Sequence, residues 1–324
     1  MHRPPAPLLR YVDQVAGDGP TEVEFRFSRS VLTDFDIDVV HVLEPHLETL
    51  LGTGHGGPLQ RLFAVRALTS NLRKHRIALV RTLPGVGASI GHDRSLAQRM
   101  LDEATTAFVV FHESTLTPDA SRTTVIPHAH FGERFRGYPR AHSVEGRVLC
   151  VARGKLPKAA GALVGTPRVS GIQGVALRFA GEADESLERV IRSAVAQHPR
   201  TVSMRLERLS DGARVQEIGA AELVAVPEVE SMGDLQTVFL ALTLDRPVIT
   251  PRSPQMAALA EEVGPGWVHL TEGSITASAL DEAFTAIRST SRSRSPRFTQ
   301  RDLRAVISRY STVFRLSAQS VQKP

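Results

Sequence analysis

Cysteine is nearly absent, Cys150 being the only one among 324 residues. A disulfide framework and a paired-cysteine zinc site are therefore excluded, and a lone thiol inside the apolar run RVLCVA reads as buried and inert. No stretch reaches the roughly 18 uninterrupted apolar residues of a membrane span. The opening MHRPPAPLLRYVDQVAG has no apolar core ahead of a small-residue cleavage site, so a cytoplasmic protein is expected. Lysine occurs only at 74, 155, 158 and 323, so the formal charge of +5 and the pI near 9.8 rest on 35 arginines. These are interleaved with acids through every segment rather than gathered in one aromatic-studded stripe, which argues against a nucleic-acid partner. Two readings of the arginines stay open: a solvated basic surface, or attraction to an anionic membrane or a phosphorylated acceptor. Also lacking are an H-E-x-x-H helix and a P-loop, which removes the commonest zinc-protease and nucleotide-hydrolysing classes.

What is present is the patterning of a packed globular chain, 42% hydrophobic and 23% charged. Short β-branched runs alternate with stretches of helical spacing, the mark of parallel βαβ units, so the fold class is α/β. Strands are expected at 22–27, 38–43, 76–81, 106–111 and 123–127, with helices over 58–74 and 93–104. A second series follows at 147–152, 174–181, 202–206, 222–227, 246–250 and 266–270. Between the two series FGERFRGYPRAHSVEG lacks either hydrophobic period, which places a linker near 132–145. The domains expected are 1–140, 141–296 and a terminal helix and tail over 297–324. In that helix Leu303, Val306, Ile307, Tyr310 and Phe314 share one stripe, with Thr299 and Asp302 at its cap. The low-complexity piece RSTSRSRSPR at 288–297 reads as a solvated connection.

In open parallel sheets ligands bind beyond the carboxyl ends of the strands. In VLCVARGKLPKAAG a strand ends and Arg153, Lys155 and Lys158 follow at a helix start, a setting that suits a diphosphate or, alternatively, a solvated basic turn. In ELVAVPEVESMGDLQTVFLALTLDRPVITP an acidic loop precedes a helix. There Glu228 or Glu230 could accept hydrogen bonds from ribose hydroxyls, N–H groups near Gln236 and Thr237 could meet phosphate or sugar oxygens, and capping by Asp234 explains part of the pattern without a ligand. TTVIPHAHFGERF carries His128 and His130 where one domain gives way to the next, as a donor contact or as hinge packing. The D-x-D spacing of DFDID at 34–38 reads as a turn rather than a metal site.

Taken in order, these segments resemble GT-B glycosyltransferases of bacterial exopolysaccharide and glycolipid pathways, including the β-1,4-mannosyltransferase-like and xanthan glucuronosyltransferase-like groups. The resemblance spans most of the chain. VIPHAHF is similar to the family's Ile-Pro-His-Gly-His-Tyr type motif and carries over His128, and GKLPKAAG resembles its basic phosphate-binding helix start and carries over Lys155 and Lys158. DVVHVLEPHLETL half-matches a His-Val-His-Trp-Pro-Glu type strand, with His41 on the first histidine. Arg81 and Thr82 stand where His-Asn is common, and Leu235 and Gln236 align with a Ser-Gly pair. The resemblance implies two Rossmann-like domains facing across a cleft, with the terminal helix crossing back to the first. It also implies a nucleoside diphosphate sugar donor (UDP- or GDP-linked), a sugar or lipid-linked acceptor, contact with the inner face of a membrane, and no cofactor or obligatory metal. Glu44 and His41 are the candidate bases. A non-catalytic partner subunit and a nucleotide-sugar epimerase are the competing expectations.

Overall fold

Parallel strands joined by helices build two sheets, one in each of two units: residues 1–129 with 300–324, and residues 130–299. The computed structural model describes residues 6–16, 23–24, 36–44, 57–85, 95–135, 137–154, 163, 172, 174–289 and 292–322.

The first unit contains α1 (Ala6–Ala16), β1 (Val39–Leu43), α2 (Pro58–His75), β2 (Ala78–Leu83), α3 (Leu96–Ala104), β3 (Ala107–Val110) and β4 (Thr123–Val125). The last helix of the chain belongs to it as well. Its four described strands are parallel and ordered β1-β2-β3-β4. Of the strand expected at 22–27 only Val23 and Glu24 are described, and neither is in a strand. Helix α2 begins with proline at its first turn, where a missing N–H costs nothing, and ends at Arg76 in the left-handed region (φ 54°) after Arg73, Lys74 and His75. Ser95 caps α3 by accepting from the Gln98 amide at 3.2 Å.

Because side chains alternate across a strand, β1 and β2 serve two cores. Val40, Val42 and Leu79 pack with Val65, Leu68 and Leu72 of α2 and Leu101 of α3. The opposite face meets α1 and the terminal helix α9 (Leu303–Gln322), whose buried residues are Val306, Ile307, Tyr310, Val313, Phe314 and Ser317. Asp302 is its cap, accepting from the amides of Arg304 and Ala305.

The second unit is larger. It comprises β5 (Arg147–Gly154), β6 (Ala176–Ala183), α4 (Glu185–Gln197), β7 (Val202–Arg205), α5 (Asp211–Gly219), β8 (Leu223–Ala225), α6 (Met232–Thr243), β9 (Val248–Pro251), α7 (Pro254–Val263), β10 (Val268–Thr271) and α8 (Ala277–Ser289). Its strands, all parallel, run β10-β9-β8-β5-β6-β7. The polar segment 132–145 is fastened to this unit by Arg134–Asp211 and Arg140–Asp245 ion pairs, both at 2.9 Å. The arginine-serine piece is fixed there too, with Arg292 5.0 Å above the Trp267 ring and Ser293 accepting from its indole N–H. Cys150 is buried in this core, and burial pushes its thiol up to about 12, so it is inert.

Helix α9 is tied to the first sheet by polar contacts as well as by apolar packing. The Tyr11 hydroxyl lies 2.8 Å from both the Tyr310 hydroxyl and Thr82 Oγ1, and Thr82 Oγ1 lies 2.9 Å from His41 Nε2. A proton order in which Tyr310 donates to Tyr11, Tyr11 to Thr82 and Thr82 to a neutral His41 satisfies every member. Burial lowers His41 to about 4 and raises Tyr310 to about 12, so the network is uncharged at neutral pH. His128 is buried beside Phe111 and donates from Nδ1 to the Ala129 carbonyl at 2.8 Å, while Arg301 holds its own carbonyl at 3.1 Å. Burial lowers this ring to about 3.

A ring that stays neutral when folded but takes a proton near pH 6.5 when unfolded stabilises the fold above that pH, and the contribution is lost as pH falls toward the folded value. For His128 the loss between pH 8 and pH 5 is about 2 kcal/mol. Urea unfolding of His128→Asn is expected to show a pH 8-to-5 loss smaller than the wild type's by about that amount; equal losses contradict the assignment.

Candidate active site

The second sheet reverses its strand order between β5 and β8, the place where open α/β sheets leave a crevice at their carboxyl edge. Arg153, the penultimate residue of β5, lies at this edge and extends along the start of α6. Its Nη2 donates to Thr237 Oγ1 at 2.8 Å, and Thr237 in turn donates to the Gly233 carbonyl at 2.9 Å. Asp234 stands 4.0 Å from Arg153 Nε. A Cβ on Gly233 would come within 2.5 Å of Arg153 Nη1, so a side chain there would push the guanidinium away from the helix start.

Helix α6 is closed by a reciprocal capping box. Ser231 Oγ accepts from the Asp234 amide at 3.2 Å, and Asp234 Oδ2 accepts from the Ser231 amide at 3.0 Å and its hydroxyl at 2.6 Å. This arrangement places the helix start earlier than the sequence alignment does. Gln236 and Thr237 are buried in the second turn, where backbone N–H groups serve the helix itself, and the amides beyond intrahelical reach are those of Met232 and Gly233. The Ser and Gly at the helix start are Ser231 and Gly233, not residues at the places of Leu235 and Gln236. Glu228 is half-buried and Glu230 exposed in the loop that leaves β8 for this helix. Lys155 and Lys158 lie outside the described residues. A guanidinium at the positive end of a helix dipole is unfavourable by itself. An anion at the same place reverses the sign, so this edge suits a diphosphate.

In the first unit Glu44 follows the carboxyl end of β1, its amide donating to the Thr82 carbonyl at 3.0 Å. Its Oε1 receives Arg81 Nε at 2.9 Å and Nη2 at 2.8 Å, while Arg81 Nη1 reaches Asp102 Oδ1 at 2.6 Å. Arg81 is only 2% exposed, whereas the Glu44 side chain is 21% exposed. His41 points to the other side of the sheet, into the Tyr11–Thr82–Tyr310 network and against the Phe314 ring at 5.1 Å. His128 belongs to the first unit and is neutral at physiological pH. Asp36 and Asp38 are exposed ahead of β1, and Asp38 accepts from Gln322 at 3.1 Å. Among the described residues no group of three or more His, Cys, Asp or Glu side chains is arranged to hold a metal ion.

Arg153, Gln236, Thr237, Glu228 and Glu230 thus share the β5–β8 edge of the second sheet, while Glu44, His41 and His128 lie in the first unit. Sequence reasoning noted Arg81 only as a departure from the family's His-Asn and passed over Asp102, Tyr11 and Gly233. The available signal for Arg81 was a charge inside the apolar strand run IALVRTLP, where an arginine must have a buried partner.

No family profile matches the chain. The GDP-mannose:glycolipid 4-beta-D-mannosyltransferase of Xanthomonas campestris pathovar campestris is 29% identical over 308 residues, covering 93% of this chain and 86% of that protein. A second protein of the same name and pathovar is 28% identical over the same shares. Among solved structures, Anabaena HepE in complex with UDP and glucose superposes with a TM-score of 0.54 at 15% identity, covering 90% of this chain and 80% of that one. With two parallel-sheet domains and the strand reversal in the second, the chain has the GT-B fold, and along nearly its whole length it is similar to glycosyltransferases, enzymes that move a sugar from a nucleotide sugar.

Proposed function

We propose that the donor is GDP-mannose and the acceptor a glycolipid hydroxyl, the substrates in the name that both curated relatives carry. The observation that carries the donor reading is Arg153 lying on the first turn of α6 at the strand reversal, a cationic place with helix amides beside it. In the proposed reaction the acceptor oxygen attacks the anomeric carbon as the bond from that carbon to the diphosphate breaks. The bonding pair leaves on GDP, and the acceptor proton passes to a carboxylate. Arg153, the α6 start, Lys155 and Lys158 would stabilise the departing diphosphate without an obligatory metal. Glu228 and Glu230 are proposed to meet the ribose. Of the two candidate bases, Glu44 keeps Oε2 outside its bonds to Arg81, whereas His41 Nε2 is engaged by Thr82 and Tyr11. Glu44 is therefore the assigned base.

A ligand that binds only the folded chain stabilises it by about 2.7 kcal/mol at a hundredfold excess over its Kd. Thermal unfolding with GDP, UDP and their sugars is expected to rise with the guanine nucleotides and to lose at least tenfold in apparent affinity in Arg153→Ala, a charge-assisted contact. An unchanged shift in the variant contradicts the donor site. Binding without turnover would favour the partner-subunit reading, in line with Arg81 and Thr82 standing in the His-Asn place.

Contact with an anionic membrane face is assigned to α2. It has no acidic residue, and Leu59 and Phe63 are 70% and 66% exposed. At 100° per residue they share one exposed face with Arg66, Arg73 and Lys74. Apolar side chains among cations on a solvent face fit an acidic lipid surface. Among the described residues no helix is long and apolar enough to cross a membrane. Co-sedimentation at low salt with phosphatidylglycerol vesicles is expected, with little binding to phosphatidylcholine, and the double variant Leu59→Ser/Phe63→Ser should weaken it about tenfold. Equal binding to both lipids, or none to either, contradicts the assignment.

A further inference from the structure

We propose that Arg81 is a positioning residue, clamped by Asp102, that presents Glu44 Oε2 to the acceptor hydroxyl; this rests on the reading of Glu44 as the base. A strand in the middle of a parallel sheet is ordinarily apolar on both faces. β2 instead carries an arginine there, whose guanidinium touches three elements. Nε and Nη2 hold Glu44 at the end of β1, and Nη1 holds Asp102 of α3 and lies 3.3 Å from Thr105 Oγ1. The Phe108 ring lies 5.6 Å from the guanidinium carbon. Asp102 Oδ1 also accepts from Gln98 Nε2 at 3.0 Å, so the acid that anchors the arginine is itself held.

Two details separate this group from an ion pair serving stability alone. Both bonds from Arg81 to Glu44 end on one oxygen, Oε1, although a guanidinium can engage both oxygens of a carboxylate. The other oxygen is thereby kept for a different partner. Two carboxylates also share one guanidinium, so the group carries a net negative charge. Asp102, bonded at 2.6 Å, fixes the far end of the guanidinium that holds Glu44. The Glu44 backbone is locked as well, through its amide to the Thr82 carbonyl. A buried triad of this kind is weak evidence for stability, because apolar side chains of similar volume often replace it without loss. Its product is a carboxylate fixed at both ends, the preorganisation that general-base catalysis needs.

In the balanced step the acceptor O–H proton moves to Glu44 Oε2 while the acceptor oxygen bonds to the anomeric carbon and GDP departs with the electron pair of the broken bond. Arg81 and Asp102 transfer nothing.

The test compares Arg81→Met/Asp102→Leu, Arg81→Lys and Glu44→Gln with the wild type, reading GDP release from GDP-mannose with a glycolipid extract as acceptor. The paired apolar replacement is expected to melt within a few degrees of the wild type and to keep donor KM within twofold while kcat falls at least thirtyfold. Arg81→Lys keeps the charge but lacks the rigid fork that spans both carboxylates. It is expected to lower kcat about tenfold at unchanged donor KM, and it decides the matter if the double variant does not fold. The clamp is overturned if kcat stays within threefold in the folded variants while Glu44→Gln loses a hundredfold or more, or if the loss appears wholly in KM. Turnover that survives Glu44→Gln instead overturns the reading of Glu44 as base, so the two failures are distinct.

Discussion

A parallel sheet has two faces to cover, and in the first unit one of them is closed by the last helix of the chain. Much of what is unusual in this unit follows from that requirement. The face of β1 and β2 turned to α1 and α9 carries His41 and Thr82, and their polar atoms are satisfied by Tyr11 and Tyr310. The other face, turned to α2 and α3, carries Arg81, satisfied by Glu44 and Asp102. Two adjacent residues, Arg81 and Thr82, therefore serve two different helix layers, one through an ionic group and the other through neutral hydroxyls.

The second unit meets the same requirement with a mostly apolar core from Val148 through Ile287. It concentrates its polar features at the edge where strand order reverses. There Gly233 lets the Arg153 guanidinium lie close on the α6 start, and the Ser231–Asp234 box leaves the amides of Met232 and Gly233 beyond the helix's own bonding.

The α/β class, the strands from β1 onward and the apolar stripe of the terminal helix were legible from periodicity, because parallel strands and amphipathic helices repeat at different intervals, whereas α1 was not expected. Expected strand ends differ from the observed ones by one or two residues where the ladder stops short of the apolar run, as at 222–227 against Leu223–Ala225. Arg153 was legible as a cation following a strand. The start of α6 was displaced because Leu235 and Gln236 were matched by counting along a motif, while the hydrogen bonds of Ser231 and Asp234 set the first turn. The Arg81 triad was not legible: its partners lie 37 and 21 residues away, and no local pattern joins a strand-end glutamate to a helical aspartate. His41 stood out by motif position, but its neighbours Tyr11 and Tyr310 are separated by 299 residues and meet only through the fold.

The central proposal is that this chain moves a hexose from GDP-mannose to a glycolipid hydroxyl. Mass spectrometry of a glycolipid extract incubated with the protein and GDP-mannose tests it most directly. The account predicts acceptor lipids heavier by one hexose, with one GDP released for each. GDP binding without any hexose gain in the lipid, or GDP release that does not depend on the acceptor, would contradict it.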